Sequence, residues 1–153
     1  MTDARTPADA ALVERPTALP AVEATITVAG DARSRVALTR SSVDLLRSLW
    51  DEHGPLMFHQ SGGCCDGSSP MCFPAGEFIT SDQDVLLGRL NIAPLGQPDQ
   101  EIDFWISAEQ FEYWSHTALL IDVVRGRGGG FSAEAPRGVR FLIRSELMES
   151  FSA

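Results

Sequence analysis

The stretch Ser61-Gly-Gly-Cys-Cys-Asp-Gly-Ser-Ser-Pro-Met-Cys72 gathers all three cysteines of the chain into one glycine-rich segment. A thiolate is both a nucleophile and a soft metal ligand, so two chemistries are open to it. Adjacent cysteines point in different directions, which makes Cys64 and Cys65 a poor side-by-side pair. One of them with Cys72 and an imidazole is the better set for a zinc or iron ion, and His59 and His116 are the candidate imidazoles. The same thiols are candidate anchors for an iron–sulfur cluster. The spacing is not that of a CxxC knuckle, and a buried free Cys can also pack as a small hydrophobe. Gly62, Gly63 and Gly67 favour chemistry, because they permit positive φ and a close backbone approach that inert packing does not need. The turn Gly67-Ser-Ser-Pro70 is expected to fold Cys72 back toward Cys64 or Cys65.

A second stretch, Arg125-Gly-Arg-Gly-Gly-Gly130, sets the guanidinium groups of Arg125 and Arg127 beside bare amides that can hold a phosphate or carboxylate. No helix pattern follows it, so it lacks the context of a dinucleotide loop. It reads first as a wide glycine hairpin with solvent-facing arginines. Phe104, Phe111 and Trp114 read as core, whereas Trp105 and Tyr113 fall on the opposite faces of their elements and form a candidate partner surface. Glu101, Asp103, Glu109 and Glu112 read as a solvated face. No Ser-His-Asp order, nucleophile elbow or phosphate loop occurs, so nothing in the sequence demands an enzyme.

The elements that must position these groups follow from periodicity. Thr39, Ser41 or Ser42 can cap a helix over Ser42–His53, where Val43, Leu46, Leu49 and Trp50 recur at helical spacing and Gly54-Pro55 stops the run. Leu56–His59 reads as a short buried strand. Phe78–Thr80 and Val85–Leu87 read as strands around the turn Ser81–Asp84, and Ile102, Phe104 and Ile106 alternate as another. Ser107-Ala-Glu-Gln110 has the form of a capping box opening a helix over Ala108–His116. Leu119–Val124 is the most strand-like run, with Phe131–Glu134 and Val139–Ile143 expected to return antiparallel. This order gives an α+β fold, with two packed β layers flanked by two short helices.

The 153 residues fit one domain, 44% hydrophobic and 22% charged, large enough to enclose a core without disulfide staples. Residues 1–35 have no aromatic side chain and carry prolines at 7, 16 and 20, so they read as a flexible tail ahead of a domain over 36–153; only Ile26 and Val28 alternate like a strand. The net charge is -9 and Lys is absent. Such a surface repels phosphate backbones and anionic lipid, which disfavours nucleic acid and membrane partners. No apolar run approaches the roughly 20 residues of a membrane span. Met1–Ala11 is too polar for a secretory segment, so a cytoplasmic protein is expected.

From about Val36 to Arg144 the chain resembles the bacterial domain-of-unknown-function family 779. The resemblance rests on Leu56–Cys72, Gln110-Phe-Glu-Tyr-Trp114, His116-Thr117, Ile121-Asp-Val-Val124 and Gly126-Arg-Gly-Gly-Gly-Phe131. It implies an accessory role beside an aldehyde dehydrogenase, since genes of the family tend to neighbour such enzymes, and it implies no established reaction. The order Leu38-Thr39, Gly62-Gly-Cys64, Ile121-Asp122, Gly130-Phe131 and Ala135-Pro136 is also similar to the A-type iron–sulfur carriers, the HesB-like family. That second resemblance implies a HesB-like, β-sandwich-type fold. This chain has no Cys after Cys72, so the carriers' terminal Cys-Gly-Cys is unmatched.

Three functions are therefore expected in order. The first is a non-enzymatic accessory protein that binds an aldehyde dehydrogenase or itself and carries a metal-binding cysteine loop. The second is a thiolate metal or iron–sulfur carrier. The third is a thiol enzyme using Cys64 or Cys65 on an aldehyde or thioester.

Overall fold

The computed structural model describes residues 19–60, 68–126 and 131–147. Two four-stranded mixed sheets and two helices make an α+β fold. The elements are β1 (Pro20–Glu23), β2 (Val36–Thr39), α1 (Arg40–His53), β3 (Leu56–Gln60), β4 (Met71–Pro74), β5 (Asp84–Asn91), β6 (Glu101–Ser107), α2 (Ala108–Trp114), β7 (Thr117–Arg125) and β8 (Val139–Leu147). The first sheet has the order β1-β2-β7-β8 and the second β4-β3-β6-β5. In each, the central pair is parallel and the outer pairs antiparallel. Parallel neighbours cannot be joined by a tight turn. The chain instead leaves the first sheet through α1 to reach β3 and returns from β6 through α2 to β7.

The inner faces of both sheets and the α1 residues Val43, Leu46 and Leu49 share one core. Phe58 sits at its centre, 5.3 Å from the Phe104 ring beside it and 5.0 Å, edge-on, from Phe141 of the opposite sheet. Thr39 caps α1 by accepting the Ser42 amide, and Gly54 (φ 82°) ends it with its N–H on the Trp50 carbonyl. A buried polar hub ties three strands to that cap. Asp122 accepts hydrogen bonds from the Thr39 hydroxyl at 3.0 Å and the Val123 amide at 2.8 Å, and pairs with Arg144 at 2.9 Å.

Several expectations need correction. Residues 20–35, read as part of a tail, contribute β1 and a strap between the sheets, while 1–18 lie outside the described residues. The Thr25 amide donates to the Arg89 carbonyl of β5, and the Thr27 hydroxyl donates to the Leu86 carbonyl. Arg35 anchors the strap, holding Asp31 through two bonds, the Ser115 carbonyl through a third, and lying over the Phe111 ring. Ile26 and Val28 belong to no strand. Phe78–Thr80 is irregular, because Phe78 turns onto the second sheet instead of pairing. Phe131–Glu134 forms turns beside β4, with the Ala133 amide on the Cys72 carbonyl. The α2 helix ends at Trp114, and its capping box is one-sided: Ser107 accepts the Gln110 amide, but the Gln110 side chain accepts the Trp114 indole N–H instead of returning to the cap.

The strap packs tightly at Gly88, where an added Cβ would lie 2.6 Å from the Ala24 Cβ. Both atoms are fixed to backbone, so one chain must move. Gly88→Ala is expected to lower the unfolding free energy by about 1–3 kcal/mol in urea denaturation. Unchanged stability would show that the strap does not rest on β5.

Candidate functional site

Strand β3 is buried along its whole length, so both of its faces are covered. Leu56 and Phe58 point into the core, and by the two-residue repeat of a strand Met57 and His59 point to the outer face. Residues 75–83 cross that outer face. They leave β4 through a turn with Gly76 at φ 95° and rejoin at β5 through the Ser81–Asp84 turn. Phe78 is the contact they make, its ring 4.2 Å from that of His59 and 5.3 Å from that of Phe73.

Under this cover His59 meets Asp84, Nε2 to Oδ1 at 2.7 Å. Asp84 Oδ2 accepts the Ser81 amide at 2.9 Å. Burial works against charge on Asp84, but the hydrogen bonds from His59 and Ser81, with the charge of His59, outweigh it and hold the carboxyl below its ordinary range. A carboxylate fixed on one ring nitrogen sets the imidazole's orientation. That is the second-shell arrangement of metal-binding histidines and equally that of catalytic bases.

Three of the five metal candidates, His59, Cys72 and His116, are among the described residues, and they do not form a group of three ligands. Cys64 and Cys65 lie outside the described residues. Cys72 pairs across the ladder with Phe58 and is fully enclosed in the core, on the opposite side of the sheet from His59. His116 is exposed between α2 and β7. Among the described residues no three His, Cys, Asp or Glu groups come together as a metal would require. Arg125 is exposed at the end of β7, with the neighbouring Gly126 amide on the Gly138 carbonyl, and Arg127 lies outside the described residues. Tyr113 is exposed as expected, whereas Trp105 is half-buried.

Cys72 has a companion that sequence reasoning missed. The Ser132 hydroxyl accepts the Cys72 amide at 2.9 Å and donates to Glu134 Oε1 at 2.5 Å. Glu134 is fully buried, and its Oε2 has no hydrogen-bond partner among the described residues. Burial pushes the Cys72 thiol far up, and the neighbouring Glu134 adds to the shift. A thiol of ordinary pKa 9.0 is already only about 1% thiolate at neutral pH, so an upward shift removes what remains. Cys72 therefore sits in this structure as a protonated thiol packed in the core. Glu134 sits a turn before Pro136 in a stretch read as strand, and only its place amid apolar residues hinted at burial.

The fold and this buried imidazole–carboxylate pair define a small α+β domain. The chain belongs to the DUF779 family, a domain of unknown function whose model matches residues 45–147. No curated protein and no solved structure matches the chain. No helix among the described residues is long and apolar enough to cross a membrane.

Burial also raises Glu134 above its ordinary 4.5, against the pull of the Ser132 hydroxyl and the Glu134 and Phe141 amides. The folded protein therefore keeps a proton that the unfolded chain releases above that value. Stability is expected to fall as pH rises from about 4.5 toward the raised folded value, and Glu134→Gln should remove that fall. Denaturant titrations of both proteins across pH test it. Parallel pH profiles would show that Glu134 is ionised in the fold.

Proposed function

We propose that this chain is a small, non-enzymatic accessory protein of an aldehyde dehydrogenase that holds a metal ion beside the second sheet. At least one of Cys64 and Cys65 would act with His59 as ligands, and a zinc or iron ion suits such a mixed thiolate–imidazole set. The observation that carries this reading is the 2.7 Å bond from Asp84 to His59. Burial obliges the imidazole to have a partner, and a fixed carboxylate is the partner that also orients the ring as a metal ligand. The dehydrogenase partner rests on the family resemblance. Cys72 is left out of the ligand set, because a thiol held in its protonated form must lose that proton to bind. The similarity of element order to the A-type iron–sulfur carriers supports the same placement of a metal after the first strand of the second sheet.

The same pair favours one other reading, a thiol enzyme in which His59, oriented by Asp84, takes the proton of Cys64 or Cys65. Metal content separates the two. Protein purified without chelator is expected to carry about one metal per chain. Asp84→Asn should weaken metal affinity by about 10–100-fold, and His59→Asn, which removes a ligand, by at least as much. Cys72→Ala should keep the metal. Metal-free protein whose Cys64 or Cys65 reacts faster with iodoacetamide than a free thiol would favour the enzyme. Loss of metal in folded Cys72→Ala would contradict the ligand assignment. Co-purification of an aldehyde dehydrogenase from the native host tests the partner, and a clean monomer that captures none would remove it.

A further inference from the structure

We propose that a cleft on the outer face of the second sheet binds a small organic ammonium ion. Its alkyl part would lie against Met57, Phe78 and Trp105, and its charge beside Glu101 and Asp103. The cleft holds about 430 Å³, between the β3 and β6 strands and the covering segment 75–80. That volume falls within the roughly 300–1,000 Å³ typical of small-molecule sites. The inference uses neither the cysteine loop nor the metal reading and stands apart from both.

Charge selects the ligand class. Every charged side chain lining the cleft is acidic. Arg89 reaches these groups from β5, its Nε 2.7 Å from Asp103 Oδ1 and 4.0 Å from Glu101 Oε1. One guanidinium against two carboxylates leaves one negative charge uncompensated. The apolar floor raises the cost of leaving that charge partly desolvated when a neutral ligand covers it. An anion would meet repulsion at the same place. A cation satisfies the charge, and the aromatic surfaces of Trp105 and Phe78 attract it further. Ile79, 87% exposed at the rim, offers the apolar area that an alkyl chain would cover.

The test follows the Trp105 indole N–H by NMR while n-hexylammonium, n-hexanol and n-hexanoate are titrated into the full chain. The indoles of Trp50 and Trp114 serve as internal references. A saturable shift of Trp105 with hexylammonium is expected, weaker by about tenfold or more with hexanol and absent with hexanoate. Glu101→Gln alters an exposed side chain and should leave thermal unfolding unchanged while weakening hexylammonium by several-fold. Three results would each overturn the proposal. They are no saturable shift with hexylammonium, hexanol or hexanoate binding as tightly as the ammonium, and Glu101→Gln binding with unaltered affinity.

Discussion

Strand β3 is covered on both faces, and the strict alternation of its side chains divides the chemistry of this protein into two compartments. Phe58 faces inward and joins the two sheets through Phe104 and Phe141. Its ladder partner Cys72 must share that side. His59, one residue on, must face the other way, toward Phe78 and Asp84. A one-residue slip of register would exchange the two environments, placing an imidazole among phenyl rings and a phenyl ring against a carboxylate. The position of β3 is therefore fixed from both sides at once, and the candidate site inherits that precision.

The remaining architecture holds this strand in place. The two helices carry the chain into and out of the second sheet, where β3 and β6 lie parallel at the centre and β5, with Asp84, lies on the far side of β6. The covering segment is pinned at its end by the Ala108 amide on the Gln83 carbonyl, which ties the Asp84 turn to the start of α2. Beyond the sheets' own ladders, contacts close both sides of the sandwich. Thr25 and Thr27 reach β5 on one side, and the Ile143 amide bonds the Ser68 carbonyl on the other. Such closure leaves few unpaired strand edges.

Much of the fold was legible in the sequence because its central strands are strongly patterned. Leu56–His59, the alternation of Ile102, Phe104 and Ile106, and Leu119–Val124 all mark strands, and Thr39 and Ser107 mark helix starts. The failures share a cause. Phe78, Ala133 and the residues around Thr25 make their key contacts with distant strands, so local periodicity carried no signal for them. The site was half legible. His59 stood out by type and by its nearness to the cysteines, but Asp84 looked like one more polar residue in a turn. Cys72 was the reverse: its type suggested chemistry, and only the ladder with Phe58 and the contact with Ser132 show it to be packing.

That division is tested most directly by the alkylation of Cys72 in the native protein, followed residue by residue by mass spectrometry. The thiol is protonated, fully enclosed and on the core side of its sheet. Cys72 should therefore stay unmodified by iodoacetamide under native conditions and become labelled only as denaturant unfolds the chain, in step with the loss of structure. Labelling of Cys72 at the rate of a free thiol in the folded protein would contradict the account, because it would show that Cys72 is not enclosed in the core.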